Sequence, residues 1–230
     1  MNQPKILFED SLLRISYDIS SDSDRCLIAF TGVGHGLGGI DVQREEFISQ
    51  AALGMVIWVT DKQRSWGNNL DLESIAAILQ KLINGKKIFV IGNSMGGFLG
   101  ILMSRILKAS HVMCFTPQFS ISKSIVAEET RWMKYRKQIK NIRHLDLSES
   151  FSDDCNYAIL VGSGQQEDAH TRLFKQYASG SKAHIYQFLD AEHNVASYLK
   201  DAGVLNESIE RFFSGRNLVS FFQLNNIALA

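Results

Sequence analysis

Apolar residues in this chain fall into short runs, and the stretches between them carry the 3.6-residue period of helices. "KILFE" and "LLRISYD" predict an N-terminal antiparallel pair of strands joined by a short turn. "CLIAFTG", from Cys26 to Gly32, is a buried strand running into the glycine-rich loop "GVGHGLGG". "DVQREEFISQAAL" then has helical periodicity, with Val42, Phe47, Ile48 and Ala51 on one side. "GMVIWVTD" predicts the next strand, followed by the loop "KQRSWGNN". "DLESIAAILQKLI" predicts a helix that Asp71 caps and Gly85 stops.

The alternation continues through the strand "KKIFVIG", the helix "MGGFLGILMSRILKA" and the strand "HVMCFTPQ". A strongly charged segment, about 121–150, interrupts it. Strands "NYAILVGSG" and "HIYQFLD" then alternate with helices "DAHTRLFKQYA", "NVASYLKDAG" and "LNESIERFFSG". Strands and helices in this order predict an α/β fold, a mainly parallel sheet with helices on both faces. Ligands of such sheets bind at the carboxyl ends of the strands.

Composition narrows the classes without choosing one. At 230 residues the chain fits one domain, 1–230, with an insertion at about 121–150. Lys plus Arg equals Asp plus Glu at 24 each, so nothing global points to nucleic acid or an anionic membrane. No apolar window approaches a membrane span, and the acidic start lacks the apolar stretch of a signal peptide. Three cysteines, Cys26, Cys114 and Cys155, lack metal-like spacing and suit reduced thiols. A cytoplasmic protein without metal or organic cofactor is expected.

The candidate chemistry begins at "GNSMG", Gly92 to Gly96, a Gly-x-Ser-x-Gly match. Such a match arises by chance roughly 0.1 times in a chain of this length. Here it lies between a strand and a helix, the setting a nucleophile elbow needs. Ser94 would project from the sheet edge with the N–H of Met95 and a helix N-terminus beside it, where negative charge is favoured.

A serine needs a base. Of six histidines, His111 and His184 open strands, His144 lies in the charged segment, and His170 starts a helix. His35 sits in the first glycine-rich loop. His193 follows the last strand in "DAEHN", 99 residues after Ser94. An acid orienting it belongs after "NYAILVGSG", where Glu167 and Asp168 stand side by side; Asp168 is the choice and Glu167 the alternative.

Together "FTGVGHG", "GNSMGG", the acid loop and "DAEHN" make residues 26–213 resemble the α/β-hydrolase-fold serine hydrolases. The resemblance implies the order serine, acid, histidine, and a small helical cap at about 121–150. In place of the family's usual histidine-glycine pair stands Thr31-Gly32, which points to the Val33 N–H as the second oxyanion donor. "FTPQFS", "ETRW" and "DKQRSWGN" resemble α/β hydrolases associated with bacterial polysaccharide or glycan biosynthesis.

Trp66 and Gln118 follow strands at the same sheet end and are expected to line the pocket, though Trp66 also suits packing. Arg131, Lys134, Arg136, Lys137, Lys140 and Arg143 make the cap basic, either to attract an anionic substrate or as a solvated face. The tail "LVSFFQLNNIALA" covers the sheet or serves a homodimer. Three functions follow: a hydrolase of carboxylic esters, such as an acyl group on a carbohydrate; an acyltransferase using the same serine; and a non-catalytic binding protein on this fold. The partner in the first two is a small-molecule or glycan ester.

Overall fold

A computed structural model describes residues 3–19, 23–37 and 40–230. Its sheet is built from β1 (Lys5–Glu9), β2 (Leu13–Ile19) and β3 (Arg25–Phe30), while β4 (His35–Leu37) and β5 (Ile40–Val42) form a separate hairpin. Next come β6 (Met55–Asp61), β7 (Lys87–Asn93), β8 (His111–Phe115), β9 (Asn156–Val161) and β10 (Lys182–Gln187). The helices are α1 (Leu72–Ile83), α2 (Met95–Ser104), α3 (Met133–Arg136), α4 (Gln165–Tyr177), α5 (Val195–Asp201), α6 (Leu205–Phe213) and α7 (Val219–Leu224).

The eight-stranded sheet has the order β1-β2-β6-β3-β7-β8-β9-β10. β1 and β2 pair antiparallel, as do β2 and β6, and every later pairing is parallel. The expected N-terminal pair and mainly parallel sheet are therefore present. β6, β8 and the inner part of β7 are buried on both sides, so their side chains divide by alternation between two cores. Ile88 and Val90 face one core with Phe98 and Leu99 of α2, while Phe89 and Ile91 face the other with Ile209 and Phe213 of α6.

Asp71 caps α1 as expected, its carboxylate accepting from the Ser74 N–H at 3.2 Å. The helical reading of residues 41–53 does not hold. The chain there forms β5 and then a 3-10 turn at Ile48–Leu53. A bond from Trp58 Nε1 to the Glu46 carbonyl at 2.7 Å ties that loop to β6 instead.

The segment after β8 leaves the sheet and returns through a bridge between Ser120 and Asp146. Between them α3 is the one regular helix, and the remainder is turns. The C-terminal tail covers the sheet: Leu218, Phe221, Phe222 and Ile227 are buried in the second core. Ala230 N–H then donates to the Gln187 carbonyl on edge strand β10. No helix among the described residues is long and apolar enough to cross a membrane.

Candidate active site

The turn from β7 into α2 puts Ser94 at φ 53°, ψ −117°, a left-handed conformation that costs a residue with a Cβ about 1–3 kcal/mol. Glycines permit it. A Cβ on Gly92 would lie 2.2 Å from the Gly96 carbonyl oxygen, and one on Gly96 would lie 1.9 Å from that of Phe30. The Ser94 N–H is held by the Phe115 carbonyl at 2.8 Å, and its carbonyl accepts from Phe98 as α2 begins.

His193 enters from the turn between β10 and α5, which Thr116 pins by donating from Oγ1 to the His193 carbonyl at 3.0 Å. Its Nε2 stands 2.9 Å from Ser94 Oγ, and its Nδ1 stands 2.9 Å from Glu167 Oε1. Asp168, the acid chosen from sequence, does not reach His193; its Oδ1 accepts from Gln187 Nε2 at 2.7 Å. Neighbours in a helix point about 100° apart, so only one of two adjacent acids in the first turn of α4 can face the histidine.

Glu167 is almost wholly buried beside a cation that sequence reading placed on a basic surface. Arg131 Nη1 bonds Glu167 Oε1 and lies 2.6 Å from His193 Nδ1. Its other nitrogens grip Glu129, with Nη2 at 2.6 Å from Oε2 and Nε at 3.1 Å from Oε1. Glu129 Oε2 also meets His170 Nε2 at 3.0 Å. Because His170 Nδ1 accepts from the Phe119 N–H at 3.0 Å, the proton on that ring must sit at Nε2.

Burial by itself raises the Glu129 carboxyl. The bonds from His170 and Arg131, and the Arg131 charge, outweigh it and hold the group at about 2. Glu167 is likewise raised by burial and lowered further by the His193 bond and the Arg131 charge, ending below the ordinary glutamate value. Both stay ionised. The cluster thus carries two buried carboxylates around one guanidinium.

Ser94 Oγ has a second neighbour, Gln118 Nε2 at 3.0 Å, and Gln118 Oε1 lies 3.1 Å from Trp66 Nε1. Trp66 is fully buried, which fits its packing alternative rather than an open pocket wall, and Gln118 is buried as well. Asp61 shapes the loop that carries it, accepting from the N–H groups of Gln63, Ser65 and Gly67 and from Ser65 Oγ. Burial pushes the Asp61 carboxyl up against these four bonds.

Met95 and Val33, the two expected oxyanion donors, are both buried. Gly32 runs so close to the elbow that a Cβ there would lie 2.9 Å from the Asn93 carbonyl oxygen, so the loop leading into Val33 passes beside the residue before Ser94. Glu46 backs this loop: its Oε1 accepts from the Gly32 N–H at 3.3 Å, and burial, opposed by that bond, pushes its carboxyl up to about 7. The His35 side chain lies outside what the structure describes.

Sequence reading missed Arg131, Glu129 and His170 as site residues, taking the first for surface charge and the last for a helix start. Trp132, beside Arg131, was missed too; it holds φ 60° and sets its ring 6.4 Å from the His193 ring. The signal was present in "EETRW", where a stretch otherwise suited to solvent carries an acid, an arginine and a tryptophan together. Arg143 is also not free surface charge, since it donates to the Asn68 carbonyl at 3.0 Å and to that of Leu70.

No family model and no curated protein matches this sequence. Solved structures do match. The capsule O-acetyltransferase of Neisseria meningitidis serogroup A superposes with a TM-score of 0.58 at 17% identity, over 86% of this chain and 92% of that one. A sugar hydrolase from Lactococcus lactis gives 0.59 at 14% identity, over 84% and 85%. A lidless α/β serine hydrolase from Xanthomonas campestris gives 0.53 at 13%, over 87% and 89%. This chain has the α/β-hydrolase fold.

Proposed function

We propose that this protein is a serine hydrolase that cleaves a carboxylic ester through an acyl-enzyme on Ser94. The observation that carries the reading is the unbroken chain from Ser94 Oγ to His193 Nε2 and from His193 Nδ1 to Glu167 Oε1, each step 2.9 Å. In that arrangement His193 takes the hydroxyl proton as Oγ attacks the carbonyl carbon, and the carbonyl π pair moves onto oxygen. The N–H groups of Met95 and Val33 receive that oxyanion. Collapse expels the alcohol, which takes the proton from His193, and water then repeats the sequence to free the acid. Glu167 holds the imidazole and stabilises its cation.

The substrate we favour is an acyl group on a carbohydrate, with residues 121–150 as the cap over the site. Ser94→Ala is expected to abolish hydrolysis of a short-chain nitrophenyl ester while leaving the protein folded. Full activity in that variant would sink the assignment.

The structural likeness to a capsule O-acetyltransferase favours a second reading, in which the acyl-serine passes its group to a sugar hydroxyl instead of water. Adding acceptor sugars and measuring transfer against hydrolysis separates the two. A fluorophosphonate that fails to label Ser94 in folded protein would favour a non-catalytic binding role.

A further inference from the structure

We propose that Gln118 is a catalytic residue whose side-chain amide holds the Ser94 oxygen for attack and donates to the oxyanion as it forms. Trp66 is the positioning residue that decides which end of the amide faces Ser94. The proposal rests on the acyl-serine reading above.

An amide side chain presents an acceptor at one end and two donors at the other, and its partners decide which end goes where. An indole N–H can only donate. With Trp66 Nε1 3.1 Å from the Gln118 terminus, the amide oxygen must sit there, so the NH2 group faces Ser94 Oγ at 3.0 Å. Trp66 is 0%, Gln118 1% and Ser94 5% exposed, so bulk water does not compete for these bonds.

The loop is shaped for this delivery. Arg64 and Trp66 both take left-handed conformations, φ 53° and 51°, within the turn that the Asp61 carboxylate organises. Such conformations persist only where the surroundings enforce them, and here they bury the indole with its donor aimed at Gln118. Trp66 lies in "DKQRSWGN" and Gln118 ends "FTPQ".

At rest, Oγ accepts a hydrogen from Gln118, which leaves its own hydrogen for His193 Nε2. On attack the Oγ–H bond breaks toward Nε2, the Oγ–C bond forms, and the carbonyl π pair moves to oxygen. That oxygen shares its carbon with Oγ, which Gln118 Nε2 already reaches at 3.0 Å, and on this proposal the second N–H of the NH2 group donates to it. Gln118 gives up no proton; it adds a side-chain donor to those of Met95 and Val33. Donors of this kind are each worth about 10²–10³ in kcat.

The test measures steady-state hydrolysis of p-nitrophenyl acetate by the full chain, with folding followed by circular dichroism. Gln118→Ala is expected to lower kcat by about 10²–10³-fold, with KM within about threefold. Gln118→Glu keeps the shape and the indole's acceptor but puts an acceptor against Oγ. It should lose as much, and it decides the matter if the alanine variant does not fold. Trp66→Phe should lower kcat by about tenfold, the worth of one buried hydrogen bond, and should add nothing in a protein already carrying Gln118→Ala. A kcat within about threefold of wild type in either folded Gln118 variant would overturn the proposal. So would fully additive losses in the Trp66 and Gln118 pair. Ser94→Ala is run alongside: activity surviving there overturns the acyl-serine reading itself, whereas a dead Ser94→Ala beside an unimpaired Gln118 variant overturns only the role of Gln118.

Discussion

Arg131 sets a guanidinium nitrogen 2.6 Å from Nδ1 of His193. Two N–H groups cannot donate to each other, so the pair admits two proton arrangements. In one, Nδ1 accepts from Arg131 and the ring proton sits on Nε2, facing Ser94, where it cannot act as a base. In the other, Nδ1 donates to Glu167 and Nε2 is bare for the serine proton. Arg131 is therefore both the counter-ion of Glu167 and a competitor for the histidine.

Replacing Arg131 by Met should remove the competing donor and fix the Nδ1–H arrangement, seen as a single imidazole tautomer in nitrogen-15 spectra. It should also cost about 3–5 kcal/mol of stability, because two buried carboxylates lose their cation. Adding Glu129→Gln to Arg131→Met should recover part of that loss in urea unfolding. A double variant less stable than Arg131→Met alone would contradict the charge argument.

Glu167→Gln should lower kcat by about 10³–10⁴-fold, the range for a triad acid that can no longer accept from histidine. Asp168→Asn should stay within a few-fold of wild type, since its carboxylate bonds Gln187 instead. Ester hydrolysis of the two variants side by side checks this. The reverse ranking would move the acid to Asp168.

Acid stability should report Glu129. Its folded value of about 2 lies below its unfolded value near 4.5, so its contribution is complete above pH 4.5 and is lost as pH falls toward 2. That contribution is at most about 3 kcal/mol. The slope of stability against pH between 4.5 and 2 should therefore be shallower in Glu129→Gln than in wild type, measured by urea unfolding at each pH.

Glu46 should act with the opposite sign. Its folded value, pushed up to about 7, exceeds its unfolded value near 4.5, so the folded state holds the proton longer and stability falls as pH rises from 4.5 to 7. Glu46→Gln keeps an acceptor for the Gly32 N–H and removes the titration. It should stabilise the protein at pH 8 by up to about 3 kcal/mol and change little at pH 4.5. Equal melting temperatures at pH 8 would refute the burial argument.

What could be read from sequence follows from how local each feature is. The elbow was legible because Gly92, Ser94 and Gly96 act within one strand-turn-helix, and His193 because a single turn after the last strand holds it. Sequence ranks Asp168 above Glu167 and the geometry reverses the order, since the facing of one helix turn depends on where α4 docks. Arg131 was misplaced for a related reason. Its charge looks solvated until Glu167 and His193 arrive from distant parts of the chain to meet it and its neighbour Glu129. The region 41–53 kept a helical pattern but is drawn into a strand and a 3-10 turn by the tie between Trp58 and the Glu46 carbonyl.

The docking of Glu129 and Arg131 on Glu167 and His170 has a bearing on how such a protein can diversify. In many enzymes a cap is a module that can be exchanged to change what enters the site. Here an exchange of residues 121–150 would strip Glu167 of its counter-ion and leave His170 without its carboxylate. On the proposed function, new specificity would have to arise at outward positions such as Lys137 and Lys140, which are exposed, while residues 129–132 travel with Glu167, His170 and His193.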